Sequence, residues 1–176
     1  MSDDDQILAL FNDLDQLPGP DHLEFPHTFD YAAAKARAIQ LRNRLSNDLG
    51  HPCRLDDQTQ DASYYFKIAV PAEATQAGVP LGVRLSNYGN LAVVTTPLPD
   101  SHQDLDHAVR EGVLSADERD RMASALSMLG YTLIPQHLLH RRYTGVTGPA
   151  EDRFTYLSHG PHQGLATWWT RFFEHL

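Results

Sequence analysis

Two stretches decide the fold class: "SYYFKIAV" (63–70) and "LGVRLSNYGNLAVVTT" (81–96). In the first, Tyr64, Phe66, Ile68 and Val70 alternate with Ser63, Tyr65, Lys67 and Ala69. Successive side chains of a strand point to opposite faces, so this alternation predicts a strand with one face buried. The second holds two β-rich runs around Asn87, Tyr88, Gly89 and Asn90 and predicts a hairpin. Prolines at 71, 80, 97 and 99 fall at strand ends, where a missing N–H disturbs no ladder. Three antiparallel strands follow from this, and "YTLIP" (131–135) can add a short edge strand closed by Pro135.

Helical patterns flank the β region. In residues 3–17, Ile7, Leu10, Phe11, Leu14 and Leu17 share one helical face. Ser2 can cap that helix, and Asp3, Asp4 and Asp5 suit the positive end of its dipole. Between Asp30 and Gly50, Ala34, Ala38, Leu41, Leu45 and Leu49 form an apolar stripe. Lys35 and Arg42 flank it on one side, Arg37 and Arg44 on the other. These cations are either a docking face for an acidic group or long stems that cover the stripe with their heads in water; the second is the usual behaviour. "SADERDRMASALSMLG" (115–130) opens with a Ser115/Glu118 capping box, closes on Gly130 and turns Met122, Ala125, Leu126 and Leu129 inward. In "LATWWTRFFEHL" (165–176), Leu165, Trp168 or Trp169, Phe172 and Leu176 share a face. Four aromatics in six positions exceed one face, so a helix wedged into a groove is favoured over one with a flank turned to a partner. The expected fold is therefore one α+β domain over 1–176, an antiparallel sheet of three to four strands packed against N-terminal and C-terminal helices.

Charge narrows the choice of partner. The chain has 176 residues, 14 Lys and Arg against 23 Asp and Glu, and a formal net charge of −9. Neutralising a phosphate backbone takes clustered cations, so no nucleic-acid partner is expected. A basic protein partner suits the net charge. No apolar run approaches the roughly 18 residues of a membrane span. The first residues are acidic where a secretory signal is basic, and Cys53 has no second cysteine to pair with. A cytoplasmic protein without membrane association is expected.

Motifs for catalysis are weak. His137/His140 and His159/His162 are each spaced i, i+3 around a Gly/Pro-rich loop, whereas helical zinc pairs sit at i, i+4. No second thiolate is at hand for the common structural zinc sets, so no metal or cofactor is assigned. "DSHQDLDH" (100–107) is rich in ligand-type residues, but a calcium loop starting at Asp100 would need glycine where Leu105 stands. It reads as the acidic first turn of a helix. No nucleophile elbow, phosphate loop or dinucleotide fingerprint occurs. Cys53 beside His51 is adjacent in sequence only. The acid pairs Asp56/Asp57 and Glu151/Asp152 read as surface charge.

"LGYTLIPQHLLHRRYTG" (129–145) followed by "TWWTRFFEHL" (167–176) resembles the C-terminal part of small bacterial immunity proteins that accompany polymorphic toxins. The resemblance is confined to the C-terminal quarter and its motifs are aromatic. It implies a bacterial, cytoplasmic α+β protein that binds a toxin domain, and it carries over no catalytic residue. The residues expected to meet a protein partner are Arg141, Arg142, Tyr143, Trp168 and Trp169. A non-catalytic binding module is the favoured reading. The alternatives are a small hydrolase or metal-dependent enzyme using the His-rich loop 137–162, and a structural subunit of a homo-oligomer.

Overall fold

The computed structural model describes residues 2–17, 26, 29–56, 66–97, 102, 104–145 and 167–173. Four strands form an antiparallel meander: β1 (Arg54–Asp56), β2 (Phe66–Val70), β3 (Leu81–Leu85) and β4 (Leu91–Thr95). The alternation in β2 does what it predicts, burying Phe66, Ile68 and Val70 and exposing Lys67 and Ala69. A fifth strand, β5 (Thr132–Leu133), pairs with β4 in parallel. The class is α+β as expected, with helices at both ends, but the sheet has five strands and is mixed. Both differences have physical causes. β1 carries Arg54 and Asp56 on its solvent side and only Leu55 inward, so it lacks a readable apolar alternation. β5 follows two helices, α3 (Leu105–Arg110) and α4 (Ala116–Met128), and a connection of that length returns the chain to the starting end of β4.

α1 (Asp3–Asp15) begins with a capping box in which Ser2 and Asp5 satisfy each other's backbone donors. α2 (Tyr31–Leu49) is capped by the Asp30 carboxylate, which accepts from Ala33 N at 3.1 Å, and ends at Gly50 in the left-handed region. α4 has the Ser115/Glu118 box. Glu118 adds a tertiary role, since its second oxygen accepts from Gln76 N at 2.7 Å and ties the helix to the β2–β3 connection.

The sheet separates two apolar cores. On one face, Ala38, Leu41 and Leu45 of α2 and Met122, Ala125 and Leu126 of α4 pack on Phe66, Ile68, Val83 and Val94. On the other, Phe11 and Leu14 of α1 meet Tyr88, Leu91, Val93, Leu138 and the C-terminal aromatics. Tyr88 lies in the 86–90 turn yet is fully buried. Gly89 has φ +58°, and a Cβ there would stand 2.6 Å from the Leu14 side chain, so the turn is fitted against α1.

The basic flanks of α2 behave as covering stems. Lys35, Arg37, Arg42 and Arg44 are all partly buried. Arg44 pairs with Asp48 at 2.8 Å, and the Arg37 guanidinium lies 5.9 Å from the Tyr131 ring. Leu41→Ala should cost about 2–5 kcal/mol, because the residue is fully enclosed and its neighbours cannot collapse into the space. Urea denaturation reads this directly, and an unchanged midpoint would remove α2 from the core.

Burial lifts the Tyr131 phenol to about 12, against the pull of the nearby Arg37 charge. The fold thus favours the neutral phenol. Its contribution is intact below the unfolded value near 10 and is lost as pH rises through the folded value. Tyr131→Phe should accordingly keep more of its stability than the wild type as pH rises from 10 to 12. Denaturation midpoints measured across that window check the sign; parallel losses in the two proteins would show that Tyr131 does not govern it.

Candidate functional site

Of the four histidines, the described residues include His137 and His140. Both belong to the short helix α5 (Gln136–Leu139) and its C-cap. His137 Nε2 lies 3.2 Å from the Asp4 carboxylate on α1. The His140 ring stacks on Trp169 at 5.7 Å with a 17° interplanar angle. Each imidazole therefore has its own packing role and the two have different neighbours. His159 and His162 lie outside the described residues, as do Asp57, Asp100, Glu151, Asp152, Leu165 and Leu176. Among the described residues no group of three or more His, Cys, Asp or Glu is placed to hold a metal ion. Cys53 packs in the first core, its amide donates to Ser46 Oγ at 2.9 Å, and burial pushes its thiol pKa up. That is the reverse of what an activated nucleophile needs. Asp56 is exposed on the edge strand.

The C-terminal aromatics divide by role. α6 (Trp168–Phe172) enters through a bridge between Arg142 and Thr167 and through Trp168 N donating to Arg141 O at 3.2 Å. Trp168 is buried, stacked on Phe172 at 5.6 Å and edge-on to Tyr143 at 4.9 Å. Phe172 and Phe173 are equally enclosed. The wedged-helix reading therefore holds for the described part of this segment.

Tyr143 is buried too, and its hydroxyl donates to the Asp15 carboxylate, 2.8 Å from each oxygen. Arg171 Nε donates to the same carboxylate at 2.7 Å, with both side chains almost wholly inaccessible. The guanidinium also lies 4.5 Å from the Tyr88 ring centre. Burial opposes its charge, but hydrogen bonds to Tyr88 and Asp15 outweigh that and raise its pKa above the usual value. Gly145 closes over the cluster: a Cβ there would come within 2.6 Å of the Tyr143 ring. Asp15 is not part of the apolar face formed by Ile7, Leu10, Phe11, Leu14 and Leu17, and only the fold brings Arg171 and Tyr143 to it.

Of the five residues expected to meet a partner, Tyr143 and Trp168 thus serve the interior. Arg141 and Arg142 are exposed, and Arg141 approaches Asp4 at 3.8 Å. Trp169 is half-buried and has Arg84 of β3 5.1 Å from its ring centre. That contact leads to a surface with no motif in the sequence. On the second face of the sheet, α1, α5 and α6 cover Leu91 and Val93 of β4. The same face of β1 and β2 is left to solvent: Arg54 pairs across from Ala69 and Asp56 from Lys67, and all four are exposed. Arg84 stands beside Lys67 in the register. Two exposed cations and one exposed carboxylate therefore line the open face of β1 and β2, with the partly buried Arg84 between them and Trp169, in a chain of net charge −9.

No family model matches the chain, and neither does any curated protein or solved structure. No helix among the described residues is long and apolar enough to cross a membrane.

Neutralising Asp15 strands a buried guanidinium. Asp15→Asn or Arg171→Met alone should each destabilise by about 3–5 kcal/mol, while the double variant should lose less than their sum. Tyr143→Phe, which removes one donor of the cluster, should cost about 1–3 kcal/mol. Chemical denaturation of the four variants tests the set, and strict additivity would mean that the pair is not coupled.

Proposed function

We propose that this chain is a non-catalytic protein-binding module that engages its partner through the open face of β1 and β2 beside Arg84 and Trp169. The observation that carries this reading is the uneven cover of the sheet's second face. Three helical segments bury its β4 side, and its β1–β2 side shows Arg54, Lys67 and Ala69 to solvent. A flat patch with cations around an aromatic edge has the composition of an interface, where Arg and Trp dominate the energetics. The resemblance of the C-terminal residues to immunity proteins makes a toxin domain the partner class.

Local charge sets the sign of the contact. The net charge of −9 favours a basic partner at long range. The open face itself offers cations, so the partner surface that seats on it is acidic. A partner with a basic contact surface would instead meet the exposed acids of the α3–α4 side, such as Asp106, Glu111, Asp117 and Asp120. The enzyme reading of loop 137–162 has less support, because His137 and His140 are engaged with Asp4 and Trp169.

Affinity capture from a native lysate, followed by stopped-flow binding of the recovered protein, separates these alternatives. Lys67→Glu should weaken binding at least about tenfold, mostly through slower association that salt also suppresses. Asp117→Lys should change it by less than about threefold, as a charge outside the contact does. The opposite ranking would move the interface to the α3–α4 side. Turnover of a small molecule with no protein recovered would favour an enzyme.

A further inference from the structure

A cleft of about 300 Å³ opens on the α2 side of the sheet, between the first turns of that helix and the end where β2 begins and β3 stops. Phe29, Phe66 and Leu85 supply its apolar wall, and Arg37 and Tyr131 line it as well. Tyr131 is only 9% exposed, yet its hydroxyl is not one of the sealed polar atoms of the interior and keeps contact with solvent at the cleft. The half-buried Arg37 guanidinium lies 5.9 Å from the Tyr131 ring. Contact with a ring engages the charge of a guanidinium but none of its N–H donors. Among the described residues neither the guanidinium nor the Tyr131 hydroxyl has a hydrogen-bond acceptor, and Arg37 forms no ion pair.

Both groups are donors at neutral pH. The guanidinium is always charged, and burial lifts the phenol to about 12, so its proton stays on. Two donors that line one cleft without an acceptor define what would complete it. A pair of oxygens in one plane matches the guanidinium fork, and a negative charge on them strengthens each bond. The apolar wall takes a hydrocarbon body. Asp30 limits the charge. It lines the far end of the same cleft, about two helical turns or roughly 10 Å from Arg37, and its carboxylate is engaged as the α2 cap with Ala33 N. One cation sharing a cleft with one carboxylate suits a monoanion and disfavours a dianion.

We propose that this cleft is a binding site for a small organic monocarboxylate, whose oxygens accept from the Arg37 guanidinium and the Tyr131 hydroxyl while its hydrocarbon part packs on Phe29, Phe66 and Leu85. The assignment is independent of the partner-binding face, which lies on the opposite side of the sheet.

Calorimetric titration of the full chain at neutral pH with benzoate, benzamide and phenyl phosphate tests the site. Benzoate should bind saturably, at one site per chain and at least about tenfold more tightly than benzamide, since charge-assisted hydrogen bonds are roughly twice as strong as neutral ones. Phenyl phosphate, with close to two charges, should bind more weakly than benzoate. Arg37→Gln should abolish the preference for benzoate over benzamide. Tyr131→Phe removes a donor and leaves the wall in place, and should weaken benzoate at least about threefold. Ala33→Leu, at an exposed position lining the cleft, fills its mouth and should weaken both ligands while leaving the helical circular dichroism intact; it keeps the test decisive if the other variants do not fold. Equal binding of benzoate and benzamide, tighter binding of phenyl phosphate, benzoate affinity unchanged by Arg37→Gln, or no saturable binding of benzoate would each overturn the assignment, the last leaving water as the acceptor for both donors.

Discussion

Asp15 and Arg171 stand near opposite ends of the chain and meet in the interior at 2.7 Å, with Tyr143 closing the carboxylate from a third element. An ion pair so enclosed adds little net stability, because desolvating two charges offsets most of their attraction. What it does impose is uniqueness. Phe11, Trp168, Phe172 and Phe173 are large apolar side chains that could pack in several registers. Only the arrangement that brings the Arg171 fork onto the Asp15 carboxylate avoids a stranded buried charge. Through it α1, the 140–145 segment and α6 are fixed relative to one another. Ser86 Oγ, which donates to Phe172 O at 2.7 Å, then locks the set to the hairpin turn.

That constraint explains why the second face of the sheet is only half covered. The first core is broad: α2 and α4 between them reach all five strands' inward residues from Leu55 to Leu133. The second is narrow and centred on β4, because its helices are drawn together around Asp15 and not spread across the strands. Among the described residues, α6 reaches β3 through Trp169 and Arg84, while Arg54, Asp56, Lys67 and Ala69 of β1 and β2 stay exposed. Lys67, Ala69, Arg54 and Asp56 are consequently side chains of a sheet face with solvent above them. Their polarity is the mark of an open face on a strand whose other side is buried, the pattern that antiparallel sheets allow.

The elements read most clearly in the sequence were those whose apolar period is uninterrupted. The Ala38/Leu41/Leu45 stripe, the Phe66/Ile68/Val70 alternation and the Ser115–Glu118 cap each follow from local chemistry that the tertiary structure has no reason to override. The burial that the sequence pattern does not reveal belongs to residues whose partners are remote. Tyr88 sits among turn formers and is buried by Arg171 and Phe172. Asp15 sits at the polar end of α1 and is buried by Arg171. Tyr143 sits beside two exposed arginines, and its hydroxyl is consumed by Asp15. β1 and the parallel pairing of β5 were illegible for a related reason: a three-residue edge strand and a two-residue parallel strand carry too few side chains to show a period.

The tandem Trp168–Trp169 shows how the same residue type takes two roles from geometry alone. On a helix consecutive residues diverge by about 100°, so a pair wedged between two elements must face different neighbours. Trp168 faces the Asp15–Tyr143 cluster and is enclosed by Phe11, Phe172 and Tyr143. Trp169 faces outward across β3, held by His140 on its ring and by Arg84 near it, and remains half-exposed. A partner that seats on the open half-sheet therefore reaches an indole whose orientation is already set by the core behind it. An anchor fixed before binding loses little rotamer freedom on contact, which is the condition under which a single aromatic contributes most to affinity.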